Sequence, residues 1–437
     1  MSNKITLVKS ENGINYLFPF ILISSLFLLW GFAHGLLDVL NKHFQNILHV
    51  SKMQSGFVQF SLYIGYLVMA VPAGFIMKKF GYKKGIIFGL SLFAIGAFLF
   101  YPAAKFGSFY PFLLALFVIA SGLACLETAA NPYSTVLGPK QFAARRINFS
   151  QSFNGLGWIL GPLLGGLFIF GADSKGGSVD KFDSLIFPYM LVGCIVVVVL
   201  IVFMFTKLPD ITIENESEQE ENPPMKNLLK HPAFVMAVIA QFLYVAAQTG
   251  INSFFINFVT DEMTSAQIMV GSWMSQWGTF GEIFMPKSDE QAASLILALG
   301  GMGSFFIGRL SGAFIMKYIA PGKLLKYYAI ANVILIILVI SKLGWLSVIA
   351  LFSTYFFMSV MFPTIFALGI KDLGTLTKKG SSFLVMAVAG GAFCPPIMGA
   401  IADQSSMSIA FIIPLLCFGF IVYYAAIGSK LKQKKII

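Results

Sequence analysis

Apolar residues run almost unbroken for about 18–28 positions at a time, and polar residues collect in the short gaps between. A helix rises 1.5 Å per residue, so each run can cross a ~30 Å hydrocarbon layer. The runs are continuous rather than alternating, which excludes a strand barrel. Twelve helical spans are predicted, over about 16–41, 53–77, 85–104, 110–137, 147–171, 185–206, 232–260, 291–316, 324–341, 345–368, 381–402 and 409–428. The expected fold class is an all-α polytopic membrane protein.

The longest polar break follows the sixth run. Residues 207–231 carry Glu214, Glu216, Glu218, Glu220 and Glu221, then Pro223 and Pro224. Like charges and prolines cannot bury enough apolar surface to fold, so this stretch reads as a solvated linker. It separates a six-helix half over 1–206 from another over 232–437. The halves repeat weakly. Phe75-Ile-Met-Lys78 returns as Phe314-Ile-Met-Lys317, Pro132 with Gly138 as Pro363 with Gly369, and Pro162-Leu-Leu-Gly165 as Pro396-Ile-Met-Gly399. Internal repeats of this kind build transport folds with a central cavity near the midplane. In the fifth run Gly157, Gly161 and Gly165 recur every fourth residue, a spacing that lets two helix backbones approach. Between the seventh and eighth runs, Trp273, Trp277 and Phe280 lie in a polar stretch over 261–290. Tryptophan favours the headgroup level, which predicts a short interfacial helix there.

Composition agrees: 57% of residues are hydrophobic and 11% charged, against about 25% charged in soluble domains. The net charge of +11 does not indicate nucleic acid, because the cations sit in the short gaps. With the N-terminus inside, all 30 Lys and Arg fall in inside segments except Lys42, Lys52, Lys105, Lys175, Lys181, Lys287 and Lys342. The positive-inside rule therefore puts both termini in the cytoplasm. The four cysteines, Cys125, Cys194, Cys394 and Cys417, all lie in apolar runs. There they behave as small hydrophobes, and neither a disulfide framework nor a metal site is expected. The first run is too long for a signal-peptide core and reads as a permanent span.

Two acids stand inside apolar runs, Asp38 in the first and Glu127 in the fourth. An ionised carboxylate near the bilayer centre costs about 2.5–3.5 kcal/mol on insertion scales, so both should face a polar interior. Asp38 falls late in its run, towards the outer helix end; Glu127 is deeper. Enzymatic chemistry is not expected, since no nucleophile–base set, phosphate loop or paired Cys/His ligand motif is present. His34 precedes Asp38 by one turn, and Trp30 precedes His34 by another. Amides and phenols punctuate other spans: Gln59 and Tyr63, Asn131, Gln151 and Asn154, Gln241, Tyr244, Gln248 and Asn252. Amides in lipid must find partners, so they face inward, either as glue between helices or as ligand contacts. Together they suit a sugar, whose hydroxyls pair with neutral amides while an aromatic face such as Trp30 covers the ring. No span interior is predicted to hold the Lys or Arg that an anionic substrate would want. A cationic substrate could use the two acids directly.

The loop Gly74-Phe-Ile-Met-Lys-Lys-Phe-Gly-Tyr-Lys-Lys84 resembles a signature of the major facilitator superfamily, with Lys78 where the general form has an acid. Cys125-Leu-Glu-Thr-Ala-Ala-Asn-Pro132, Gln151-Ser-Phe-Asn154, Tyr244-Val-Ala-Ala-Gln-Thr249, Pro363-Thr-Ile-Phe-Ala-Leu-Gly-Ile-Lys371 and Gly380-Ser-Ser-Phe, with Trp30 and Asp38, resemble the L-fucose:proton symporter family. The resemblance covers roughly 17–425 and lapses in the 172–184, 208–225 and 262–290 loops. It implies a monomer in a bacterial inner membrane that imports a neutral hexose with a proton and needs no other cofactor. It also implies that Asp38 and Glu127 are the central-cavity acids of that family, on helices 1 and 4. These acids are expected to couple the proton, and Asn154, Gln151, Gln248, Tyr244, Asn131, Trp30, His34 and Gln59 to contact the sugar. The acid pair tilts the sugar towards L-fucose rather than glucose or galactose. His34 and Gly35 stand where the fucose symporters carry a polar amide pair. The alternatives are another hexose symporter, a cation or amine exporter, and a transporter-like sugar sensor.

Overall fold

A computed structural model describes residues 7–9, 15–139, 142–171, 183–206, 208, 225–263, 265–371, 373 and 376–431. Twelve helices in it are long and apolar enough to cross a membrane. In order they are spans 1 to 12: Leu17–Leu48, Lys52–Phe80, Tyr82–Phe106, Phe109–Val136, Arg145–Phe170, Ser184–Phe205, Pro232–Glu262, Asp289–Gly312, Pro321–Ile340, Trp345–Ile370, Gly380–Gln404 and Met407–Ala426. Phe106 and Phe205 expose 76% and 82% of their surface, and Val71, Phe75 and Leu416 are also open. Water would penalise so much bare apolar surface; lipid does not. The chain is an integral membrane protein built of helices, as the hydrophobic pattern predicts.

Span 1 runs past its expected end to Leu48, because the residues that end the apolar run find partners that keep the helix intact. Asn41 donates to the Ser253 carbonyl at 2.6 Å. Gln45 and Asn257 exchange amide hydrogen bonds of 3.3 and 2.6 Å. One turn into span 2, the Asp403 carboxylate accepts from the backbone N–H groups of Lys52 and Met53, both at 2.9 Å. Lys52 Nζ reaches Asp261 at 2.8 Å. By backbone contact the protein forms two compact units. One comprises 1–40 and 64–216, the other 41–63 and 217–437, so the end of span 1 and the start of span 2 belong with the second unit. The linker expected over 207–231 falls mostly outside the described residues.

Within the first unit, the glycines of span 5 meet span 1 backbone to backbone. A Cβ on Gly157 would lie 2.5 Å from the Leu28 carbonyl oxygen, and one on Gly161 2.7 Å from the Gly35 Cα. The predicted close approach is present, with Gly31 and Gly35 as its other half. The proline repeat is less symmetric than the sequence. Span 4 continues as one helix through Pro132, whereas span 10 is interrupted between Met358 and Met361, just before Pro363. Proline removes a ladder donor and crowds the carbonyl four residues back. In span 4, Ser134 and Thr135 hydroxyls donate to the Asn131 and Pro132 carbonyls at 2.8 and 2.7 Å. In the interrupted span 10, the Tyr244 hydroxyl donates to the Met358 carbonyl at 3.0 Å. The stretch after span 7 forms two short helices, Ala266–Met274 and Gly278–Ile283, joined by a 3-10 turn. Trp273 and Trp277 are exposed there with ring centres 5.1 Å apart, where a single interfacial helix is expected from the sequence.

Candidate functional site

In the first unit, spans 1, 4 and 5 bring polar side chains together. Span 5 acts as a bracket. Its Ser150 hydroxyl pairs with that of Ser24 on span 1 at 3.1 Å, and Asn154 donates to the Phe27 carbonyl, also on span 1, at 3.3 Å. Towards span 4, Gln151 donates to the Asn131 side-chain oxygen at 3.4 Å. Asn131 lies one helical turn after Glu127. Glu127 is partly exposed and Asn154 buried. Asn131, Gln151 and Asn154 are thus tied across spans 4, 5 and 1, with Glu127 one turn before Asn131.

On span 1, Trp30, His34 and Asp38 recur every fourth residue along one face. Asp38 is buried, with 1% of its surface exposed. The helix continues ten residues beyond it, about 15 Å, so it lies deeper than its place in the apolar run suggests. His34 Nδ1 meets the Trp30 carbonyl at 3.0 Å. Its ring is enclosed by three aromatics, Trp30, Tyr66 and Trp158, with centres 6.1, 5.6 and 5.4 Å away. Tyr66 and Trp158 were not among the expected site residues. Both carry a signal, since Tyr66 follows Tyr63 by one turn on span 2 and Trp158 follows Asn154 by one turn on span 5. A side chain at Gly35 would press on the Trp158 carbonyl and Pro162 Cδ, both 2.9 Å from an ideal Cβ. The backbone approach of spans 1 and 5 thus leaves no room for an amide there.

The second unit holds the remaining expected residues. Gln59 is buried and Gln248 partly exposed. The Thr249 hydroxyl donates to the Tyr63 hydroxyl at 3.0 Å. Tyr244 is wholly enclosed, its hydroxyl committed to span 10. Gln241 is also fully buried, and neither of its amide atoms has a hydrogen-bond partner among the described residues. Arg309 lays its guanidinium over the Phe305 ring, 5.0 Å from the centre.

One expectation needs correction. Arg146 reads in the sequence as a loop cation that sets topology, yet it is completely buried at the start of span 5. Its partners are backbone carbonyls rather than an acid, which is why no charge pairing in the sequence reveals it.

A partly exposed carboxylate one turn from a bonded amide pair, and a cluster of aromatic rings around His34, can bind hydroxyls and take up a proton. The model of the Major Facilitator Superfamily matches residues 20–387. The chain belongs to the major facilitator superfamily. It is 37% identical to the L-fucose-proton symporter of Escherichia coli over 95% of this chain and 94% of that one. It is 34% identical to a glucose/galactose transporter of Brucella abortus, covering 95% of both chains. Among solved structures it aligns with the major facilitator transporter FucP in the outward conformation. That match has 36% identity and a TM-score of 0.65, over 95% of this chain and 100% of that one. These relatives are transporters, and a transporter's task accounts for acids and amides placed within spans.

Proposed function

We propose that this protein is a proton-coupled importer of L-fucose, working as a monomer by alternating access in a bacterial inner membrane. The observation that carries this is the partly exposed Glu127 one turn from the bonded Asn131–Gln151 pair, in a chain 37% identical to an L-fucose-proton symporter. The partly exposed Glu127 exchanges the proton. Asn131, Gln151, Asn154, Gln248, Tyr244 and Gln59 pair with sugar hydroxyls. Trp30 and His34 give the ring an aromatic face. Asp38, nearer the outer side in the orientation set by Lys and Arg, loads the proton from outside. An ionised acid in a closed, dry site is costly. The protonated, sugar-loaded carrier therefore reorients readily, while the ionised one does not. No cofactor beyond the proton takes part, and both termini are cytoplasmic.

A second reading is glucose or galactose symport, favoured by the 34% identity to a transporter of those sugars and by Gly35, where the backbone approach excludes an amide. The test is proton-gradient-driven uptake in proteoliposomes with labelled L-fucose, D-glucose and D-galactose. Uptake of L-fucose alone supports the first reading. Uptake of D-glucose or D-galactose without L-fucose replaces it with the second. No uptake of any sugar removes both.

A further inference from the structure

Arg146 is the largest fully buried side chain among the described residues, and none of them gives its guanidinium an acid to pair with. Five N–H groups radiate from it, and five backbone carbonyls receive them. Nε donates to Ser134 at 3.1 Å, and Nη2 to Thr135 and to Gly138, the latter at 3.3 Å. Nη1 donates to Pro139 at 3.0 Å and to Leu7 at 2.9 Å. Ser134 and Thr135 belong to the last turn of span 4, where helix carbonyls lack intrahelical donors and carry the negative end of the helix dipole. Leu7 belongs to the N-terminal segment, where Tyr16 N–H donates to Val8 at 2.8 Å and Lys9 bridges to Asn15. The fit depends on Gly138. Its φ of +141° disfavours a side chain, and a Cβ there would stand 2.8 Å from the Leu7 carbonyl oxygen and 2.9 Å from Arg146 Nη1.

We infer that Arg146 is a positioning residue for proton coupling: it clamps the inner end of span 4 and the N-terminal segment, and so fixes the depth and rotation of Glu127. This rests on the proposed role of Glu127. That acid lies nine residues before the end of span 4 at Val136, about 13 Å of helix. Between the two stands Pro132, where one ladder bond is missing. Beyond the proline, the register of span 4 is held from span 5 by Arg146 on the Ser134 and Thr135 carbonyls; Gln151 holds Asn131 on the Glu127 side. Releasing the clamp lets the inner turn shift, and the coupling acid shifts with it while Asn154 of span 5 stays on span 1.

The experiment compares Arg146→Gln, Arg146→Lys and Gly138→Ala with Glu127→Gln in proteoliposomes. Two quantities are read per folded molecule: sugar counterflow at equal pH, and accumulation under an imposed pH gradient, the latter across a range of pH. Arg146→Gln should keep counterflow while accumulation falls towards unity and the pH profile moves. Arg146→Lys, with three donors for five acceptors, should recover part of the loss. Gly138→Ala should reproduce the loss with the charge intact, and it decides the matter if Arg146→Gln does not fold. Wild-type accumulation and pH profile in folded Arg146→Gln or Gly138→Ala would overturn the inference and leave Arg146 a packing residue. If Glu127→Gln itself still concentrates sugar, the assignment of Glu127 fails instead. If Glu127→Gln loses accumulation and the clamp variants keep it, only the clamp fails.

Discussion

Asn154 spends one amide proton on the Phe27 carbonyl, which leaves its other proton and its oxygen for a ligand. Gln248 is partly exposed on span 7. Asn154→Ala and Gln248→Ala should each weaken sugar binding by about 1–3 kcal/mol, the cost of stranding a buried polar partner, with proton coupling retained. Titration calorimetry on the purified variants checks this; affinities within twofold of wild type for both would remove these amides from the site. The acids differ. Glu127→Gln mimics a permanently protonated carboxyl and should abolish accumulation while some counterflow survives. Asp38→Asn should remove the pH dependence of uptake and disturb sugar affinity less. The acids and amides were legible in the sequence because polar groups are rare and costly inside apolar runs. Tyr66 and Trp158 carried only a weak signal, their spacing from Tyr63 and Asn154, since an aromatic in a span is equally at home against lipid; the fold shows that both turn towards His34. Arg146 was misread for the opposite reason: Lys and Arg near span ends are so often topological that a buried one hides among them.

At the scale of elements, hydrophobicity marked where the membrane is and not where each helix stops. Span 1 outruns its apolar stretch because Asn41 and Gln45 hydrogen-bond to span 7. Span 10 breaks near Pro363 while span 4 absorbs Pro132, a difference set by tertiary partners rather than by proline. The small-residue spacing in span 5 was informative, because close approach has no other ready cause. Gly161→Ala should therefore be destabilising by about 1–3 kcal/mol, as overpacking is, since its Cβ would stand 2.6–2.7 Å from Gly35 and Leu36 backbone atoms. Gly74→Ala on span 2 meets nothing within 4 Å and should be neutral or stabilising by about 0.5–1 kcal/mol through helix propensity. Melting of the two variants in detergent tests the contrast. Equal melting temperatures would show that spans 1 and 5 do not touch as described.

For the whole molecule, the uneven distribution of Lys and Arg and the intramembrane acids make quantitative demands on where the chain lies and what it can do. A cysteine at Ser217, in the linker, should react with an impermeant thiol reagent in inside-out membranes and not in intact cells; the reverse would invert the topology. The energetic limit follows from one proton per sugar. A proton moving through ~100 mV supplies about 2.3 kcal/mol, and one unit of pH adds about 1.4 kcal/mol. The sum of about 3.7 kcal/mol supports roughly 500-fold accumulation, at a factor of ten per 1.36 kcal/mol. Wild-type proteoliposomes under such a gradient should approach and not exceed that ratio at long times. A plateau well beyond it would require a second coupled proton, and Asp38 would then be a stoichiometric carrier rather than an entry point. Collapsing the gradient with a protonophore should release the sugar down to equal concentrations, because the reoriented carrier runs as easily outward as inward once nothing drives it. Sugar retained after collapse would mean that the proton gates transport without powering it, and the symport mechanism would have to be abandoned.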